Sequence, residues 1–140
     1  MNAAWRELAE RIRDEAADLD RTVRRAALAW DQGKIAASGQ DFYLDSVALN
    51  LHSFYGGVER VFELVARHVD GLSPTGESWH RDLSQAMAQD RHGRRPAVIS
   101  MQTAQSLDGY RRFRHLVRNV YATNLVSGKM EGLIVGLPDL

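Results

Sequence analysis

Tyr110-Arg111-Arg112-Phe113-Arg114-His115-Leu116-Val117-Arg118-Asn119-Val120-Tyr121 reads as one amphipathic helix. At about 100° per residue, Arg111, Arg114, Arg118 and Tyr121 recur at i, i+3, i+7 and i+10 and form one polar ridge. Phe113, Leu116, Val117 and Val120 form the apolar stripe beside it. His115 and Asn119 line the other edge of that stripe, with Asn119 about 140° around the axis from Arg114 at that pitch. A helix of this kind buries its stripe against other helices, so the fold class depends on whether the rest of the chain shares its period.

It does. This helix is expected over about residues 101–125, with Ser100 as N-cap and a stop at Ser127-Gly128. Its core positions are Leu107, Phe113, Leu116 or Val117, Val120, and Asn124 or Leu125. A first helix spans about residues 3–35, where Trp5, Leu8, Ile12, Ala16, Leu19, Val23, Ala27 and Trp30 recur at steps of three and four. A second covers about 41–70, with Leu44, Val47, Leu51, Phe54, Val58, Val61 or Phe62, and Val65 on its stripe. Gly56-Gly57 interrupts it at about 1 kcal/mol per glycine relative to Ala, which implies close approach of a neighbouring helix. A short third helix, about 78–89, carries Trp79, Leu83 and Met87. Lys129 to Leu140 adds Met130, Leu133, Ile134 and Leu137 at helical spacing before Pro138 cuts it short. No strand-like alternation appears. The expectation is a single all-α domain over residues 1–140, an antiparallel bundle of four to five helices.

The bulk numbers narrow the function. With 18 basic and 18 acidic residues the net charge is zero, so no global field draws the chain to nucleic acid or membrane. Lys34 and Lys129 are the only lysines. Arginine offers a planar fork for phosphate that lysine lacks, although a codon bias toward arginine accounts for the same composition. The chain has no cysteine, which excludes disulfides, thiol nucleophiles and thiolate metal sites and fits a reducing cytoplasm. Met1 to Glu7 has no apolar signal region, and no run approaches the roughly 20 apolar residues that span a bilayer. Neither a cofactor nor a metal is expected. Asp41, Asp45 and His52 lie along the second helix at a spacing unsuited to a metal. Glu59 and Glu63 with Arg60 and Arg67 look like ordinary i,i+4 surface pairs. The loop residues Arg91, His92, Arg94 and Arg95 are either a solvated turn or a clamp for RNA backbone.

By periodicity alone, the arginine ridge is a solvated face. Its sequence, however, closely resembles the motif helix of HEPN-domain ribonuclease toxins of the HepT type, whose signature is Arg-x4-His-x-Tyr. Three other segments resemble the same family in the same order: Phe54 to Phe62, Ser78 to Leu83, and Arg95 to Ser100. The resemblance covers roughly residues 1–137. It implies a bacterial toxin paired with an MNT-type nucleotidyltransferase antitoxin. It also implies a homodimer whose facing motif helices build one cleft, where RNA is cut without a metal. Carried over, Arg114 holds the scissile phosphate, His115 supports it, and Tyr121 is the tyrosine to which the antitoxin attaches AMP. Arg111, Arg118, Arg94 and Arg95 are the candidate RNA contacts.

Asn119 occupies the family's histidine position. Cleavage through the 2′-hydroxyl needs a proton moved out of that hydroxyl and into the leaving oxygen. Imidazole does both near neutral pH; an asparagine amide does neither. His115 is adjacent to Arg114, outside the family's spacing, and is not expected to substitute. The chain is therefore expected to be an impaired ribonuclease, whether the asparagine is natural or introduced. The resemblance also leads one to expect a further amphipathic helix beyond Leu137-Pro138, whose loss exposes Met130, Leu133 and Ile134. Two other readings stand beside the toxin. One is a non-catalytic HEPN module that binds RNA or serves only as partner and AMP acceptor. The other is a plain helical dimerisation domain.

Overall fold

The computed structural model describes residues 3–73, 75–76, 78–119 and 127–139, with the backbone alone at 115–119 and 127–129. Among the described residues there are five α-helices: α1 (Ala3–Ile35), α2 (Gln40–His68), α3 (Trp79–Met87), α4 (Met101–Asn119) and α5 (Ser127–Gly136). A 3-10 turn, Leu137–Asp139, follows α5. Among the described residues there is no strand, only an isolated bridge between Arg91 and Arg95. No described helix is long and apolar enough to cross a membrane.

The two long helices form an antiparallel hairpin. Its turn is tight because Gly39 takes a left-handed φ of 72° and Gln40 Nε2 donates to the Gly33 carbonyl at 3.0 Å. Gly56-Gly57 does not break α2. A Cβ on Gly57 would lie 2.6 Å from Leu19 Cδ2, so this glycine lets the α1 side chain reach the α2 backbone. The stripe expected on α1 is partly right. Leu8 is buried and Ile12, Leu19, Val23 and Trp30 pack on the core, but Ala26 and Ala29, not Ala16 and Ala27, are the buried alanines and Trp5 is exposed.

Helix α2 packs against α1, α3, α4 and α5, so its burial spreads beyond one stripe. Val47, Leu51, Phe54, Val58, Phe62 and Val65 are buried as expected, and Ala48, Tyr55, Leu64 and Ala66 join them. Helix α3 buries Leu83 and Met87. Helix α4 begins where expected, with Thr103 N–H donating to Ser100 Oγ at 3.0 Å. It buries Ala104, Leu107, Tyr110 and Phe113. The expected core positions Val120, Asn124 and Leu125 lie outside the described residues.

Two expectations are corrected at the C-terminal end. Helix α5 begins at Ser127, two residues before the expected Lys129. Met130 and Ile134, expected to be exposed, are buried, and Leu133 is partly buried. The reason is that α5 packs against α1, α2 and α4, and the Tyr110 hydroxyl, donating to the Leu133 carbonyl at 2.6 Å, ties it to α4.

Candidate functional site

The face of α4 that carries the arginine ridge meets α2 and α3 around one buried carboxylate. Glu59, near the middle of α2, is only 3% exposed. Its spacing from Tyr55, Phe62 and Ala66 puts it on the buried side of the helix. A carboxylate there needs partners, and it has two. Arg114 Nη1 of α4 donates to Glu59 Oε1. His80 Nδ1 of α3 is hydrogen-bonded to Glu59 Oε2. One carboxylate therefore links a guanidinium and an imidazole from separate helices.

The surroundings hold these groups in place. The Arg114 guanidinium lies over the Tyr55 ring, 5.9 Å from its centroid. Burial, helped by the Glu59 charge, pushes the Tyr55 phenol up to about 12. The His80 ring lies against Trp79, with centroids 3.6 Å apart and planes tilted by 32°. Arg114 and His80 both remain reachable, with side chains 22% and 30% exposed.

One turn upstream on α4, a hollow of about 410 Å³ opens between α2, α3 and α4, lined in part by Tyr55, Arg81, Ser84, Asp108, Arg111 and Arg112. Asp108 pairs with Arg111 at 2.8 Å and with Arg112 at 2.9 Å. Burial pushes the Asp108 carboxyl up. The hydrogen bond from Arg111 and the charges of Arg111, Arg112 and Arg81 outweigh that and hold it below the usual carboxylate range. Three guanidiniums face one carboxylate, so the hollow keeps a positive surplus suited to phosphate.

Sequence and structure agree on Arg114 and Arg111 as members of one face. Glu59, read as half of a surface pair, is instead the buried centre of the site. Arg60 pairs not with Glu63 but with Glu15 of α1, at 3.1 Å. Two loop arginines serve the fold. Arg95 makes a two-pronged pair with buried Asp70 at 2.8 and 2.9 Å and caps the carbonyls of Ala86, Gln89 and Pro96. Its side chain is 7% exposed. Arg94 donates to the carbonyls of Val69 and Asp70. Tyr121 and the side chains of His115, Arg118 and Asn119 lie outside the described residues, although α4 stays helical through Asn119. Sequence reading missed Glu59 and His80 as site residues. The one available signal was a glutamate at core spacing within the Phe54–Phe62 segment.

Neither a curated protein nor a solved structure matches the chain. A family model described as HepT-like protein matches residues 46–140, the stretch that holds Glu59, His80 and Arg114. The chain belongs to the HepT-like family.

Proposed function

We propose that this protein is the toxin of a bacterial HEPN/MNT toxin–antitoxin pair, an RNA-cutting scaffold that needs no metal and works at a cleft between two copies of the chain in the cytoplasm. The observation that carries this reading is the pairing of Arg114 with buried Glu59. An arginine on a merely solvated face has no use for a buried counterion. One that must meet a phosphate at a fixed place needs a group that locks its rotamer. Guanidinium has five donors, so a single bond to Glu59 leaves others for the scissile phosphate. There Arg114 neutralises the charge that develops on the phosphorus oxygens.

The remaining parts fit around that step. Arg111, with Arg81 and Arg112, holds RNA backbone in the adjacent hollow. Arg118 continues the ridge, His115 orients Arg114, and Arg94 offers charge from a loop that Arg95 keeps in shape. Tyr121 accepts AMP from an MNT-type nucleotidyltransferase antitoxin, which closes the cleft. Asn119 cannot shuttle a proton, so cleavage is slowed by about 10²–10⁴-fold, the usual contribution of general acid–base help.

Asn119 itself favours a second reading, a non-catalytic module that binds RNA or serves only as partner and AMP acceptor. Total RNA incubated with the protein in EDTA separates the two. The toxin reading predicts cleavage by the Asn119→His form at least about 100-fold faster than by the present chain. No cleavage by either form points to the second reading.

A further inference from the structure

We infer that His80, held by Glu59 beside Arg114, is the imidazole that moves the proton in the slow cleavage this chain retains without a motif histidine. The inference rests on the ribonuclease reading above and names a catalytic group that the motif helix does not contain.

The geometry carries it in three steps. First, Glu59 is 3% exposed and holds the imidazole by Nδ1. A carboxylate on one ring nitrogen fixes the tautomer and turns the other nitrogen, Nε2, into the working one. Second, the same carboxylate holds Arg114 through its other oxygen. The imidazole and the phosphate-binding guanidinium are thus one carboxylate apart, so a phosphodiester held by Arg114 lies within reach of His80. Third, the ring lies against Trp79 and is 30% exposed, which is restrained yet open to a substrate. A histidine serving only as a filler for Glu59 would not need that opening.

The step balances without a co-reactant. Neutral His80 takes the proton from the ribose 2′-hydroxyl through Nε2. The 2′-oxygen attacks phosphorus while Arg114 neutralises the phosphorane oxygens. The bond from phosphorus to the 5′-oxygen breaks, and the imidazolium returns its proton to that oxygen. The products are a 2′,3′-cyclic phosphate and a 5′-hydroxyl. Asn119, at the motif-histidine position, takes no part in proton transfer in this scheme.

The experiment measures cleavage of total RNA in EDTA, with end-group analysis of the products. It compares the chain with His80→Asn, His80→Gln, His80→Gly and Asn119→His, checking each for folding by thermal melting. The expected result is slow cleavage by the chain that leaves cyclic phosphate ends and falls at least about 100-fold further in either His80 variant. RNA binding should be unchanged, and imidazole in the buffer should restore part of the rate to His80→Gly. Cleavage by His80→Asn or His80→Gln at the rate of the chain overturns the inference and leaves the ribonuclease reading intact. Cleavage by Asn119→His with none by the chain does the same. Cleavage by no form overturns both.

Discussion

Glu59 is the side chain on which the local energetics turn. It is buried near the centre of α2 and shared between Arg114 and His80. Removing one partner of a buried ion pair is costly because the other charge is left in low dielectric. Arg114 keeps 22% of its side-chain surface in water, which softens the penalty. Glu59→Gln should destabilise the protein by about 2–3 kcal/mol, measured by urea unfolding. It should also release the Arg114 rotamer, so RNA cleavage falls further than the stability loss explains. An unchanged unfolding midpoint would show that the pair is a surface contact. Sequence could not reveal this arrangement. A glutamate in a helix that also carries Arg60, Glu63 and Arg67 reads as part of a solvated charged face, and the partner that matters is 55 residues distant. Arg114 was legible because its neighbours on α4 form a recognisable string. His80 lies in the Ser78 to Leu83 segment that resembles the family, but gains a role only when the fold brings Glu59 to it.

Helices were the most legible elements, because a 3.6-residue period shows in any chain whose helices bury one stripe. Ser100 marked the start of α4 by ordinary capping chemistry. Reading failed where burial is not one-sided: α2 touches four other helices, so Tyr55 and Glu59 lie off the expected stripe yet inside the protein. The paired glycines of α2 give a sharp test, since they face different surroundings. A Cβ at Gly56 meets nothing nearer than Arg60 Nη1 at 3.7 Å, whereas one at Gly57 meets Leu19 at 2.6 Å. Gly56→Ala should stabilise by up to about 1 kcal/mol through helix propensity. Gly57→Val should destabilise by about 1–3 kcal/mol through overpacking, and paired thermal melts decide both. The loop between α3 and α4 has its own anchor. Arg95→Ala leaves the Asp70 carboxylate, 0% exposed, with a much weaker partner in Arg91 at 3.4 Å. The loss should be about 3–5 kcal/mol. The hydrogen bond from Arg95 holds the Asp70 carboxyl below its usual range. Its stabilising contribution is therefore present above the unfolded pKa of about 3.9 and disappears as pH falls through the lowered folded value. Arg95→Ala should flatten that acid limb of the stability profile.

Taken together, the five helices turn a neutral chain into one with a localised positive face. Net charge is zero, yet Arg81, Arg111 and Arg112 crowd one hollow, and Arg114 stands beside it at the junction of α2, α3 and α4. That concentration is what an RNA backbone needs, and composition alone hides it. The ribonuclease proposal rests on family membership and the buried clamp on Arg114. The deciding measurement is cleavage of total RNA in EDTA by Asn119→His, with and without Arg114→Ala added. The ribonuclease account predicts fast cleavage by the single variant and loss of at least about 100-fold when Arg114 is also removed, the scale of one lost transition-state donor. Equal cleavage by both, or none by either, would contradict it.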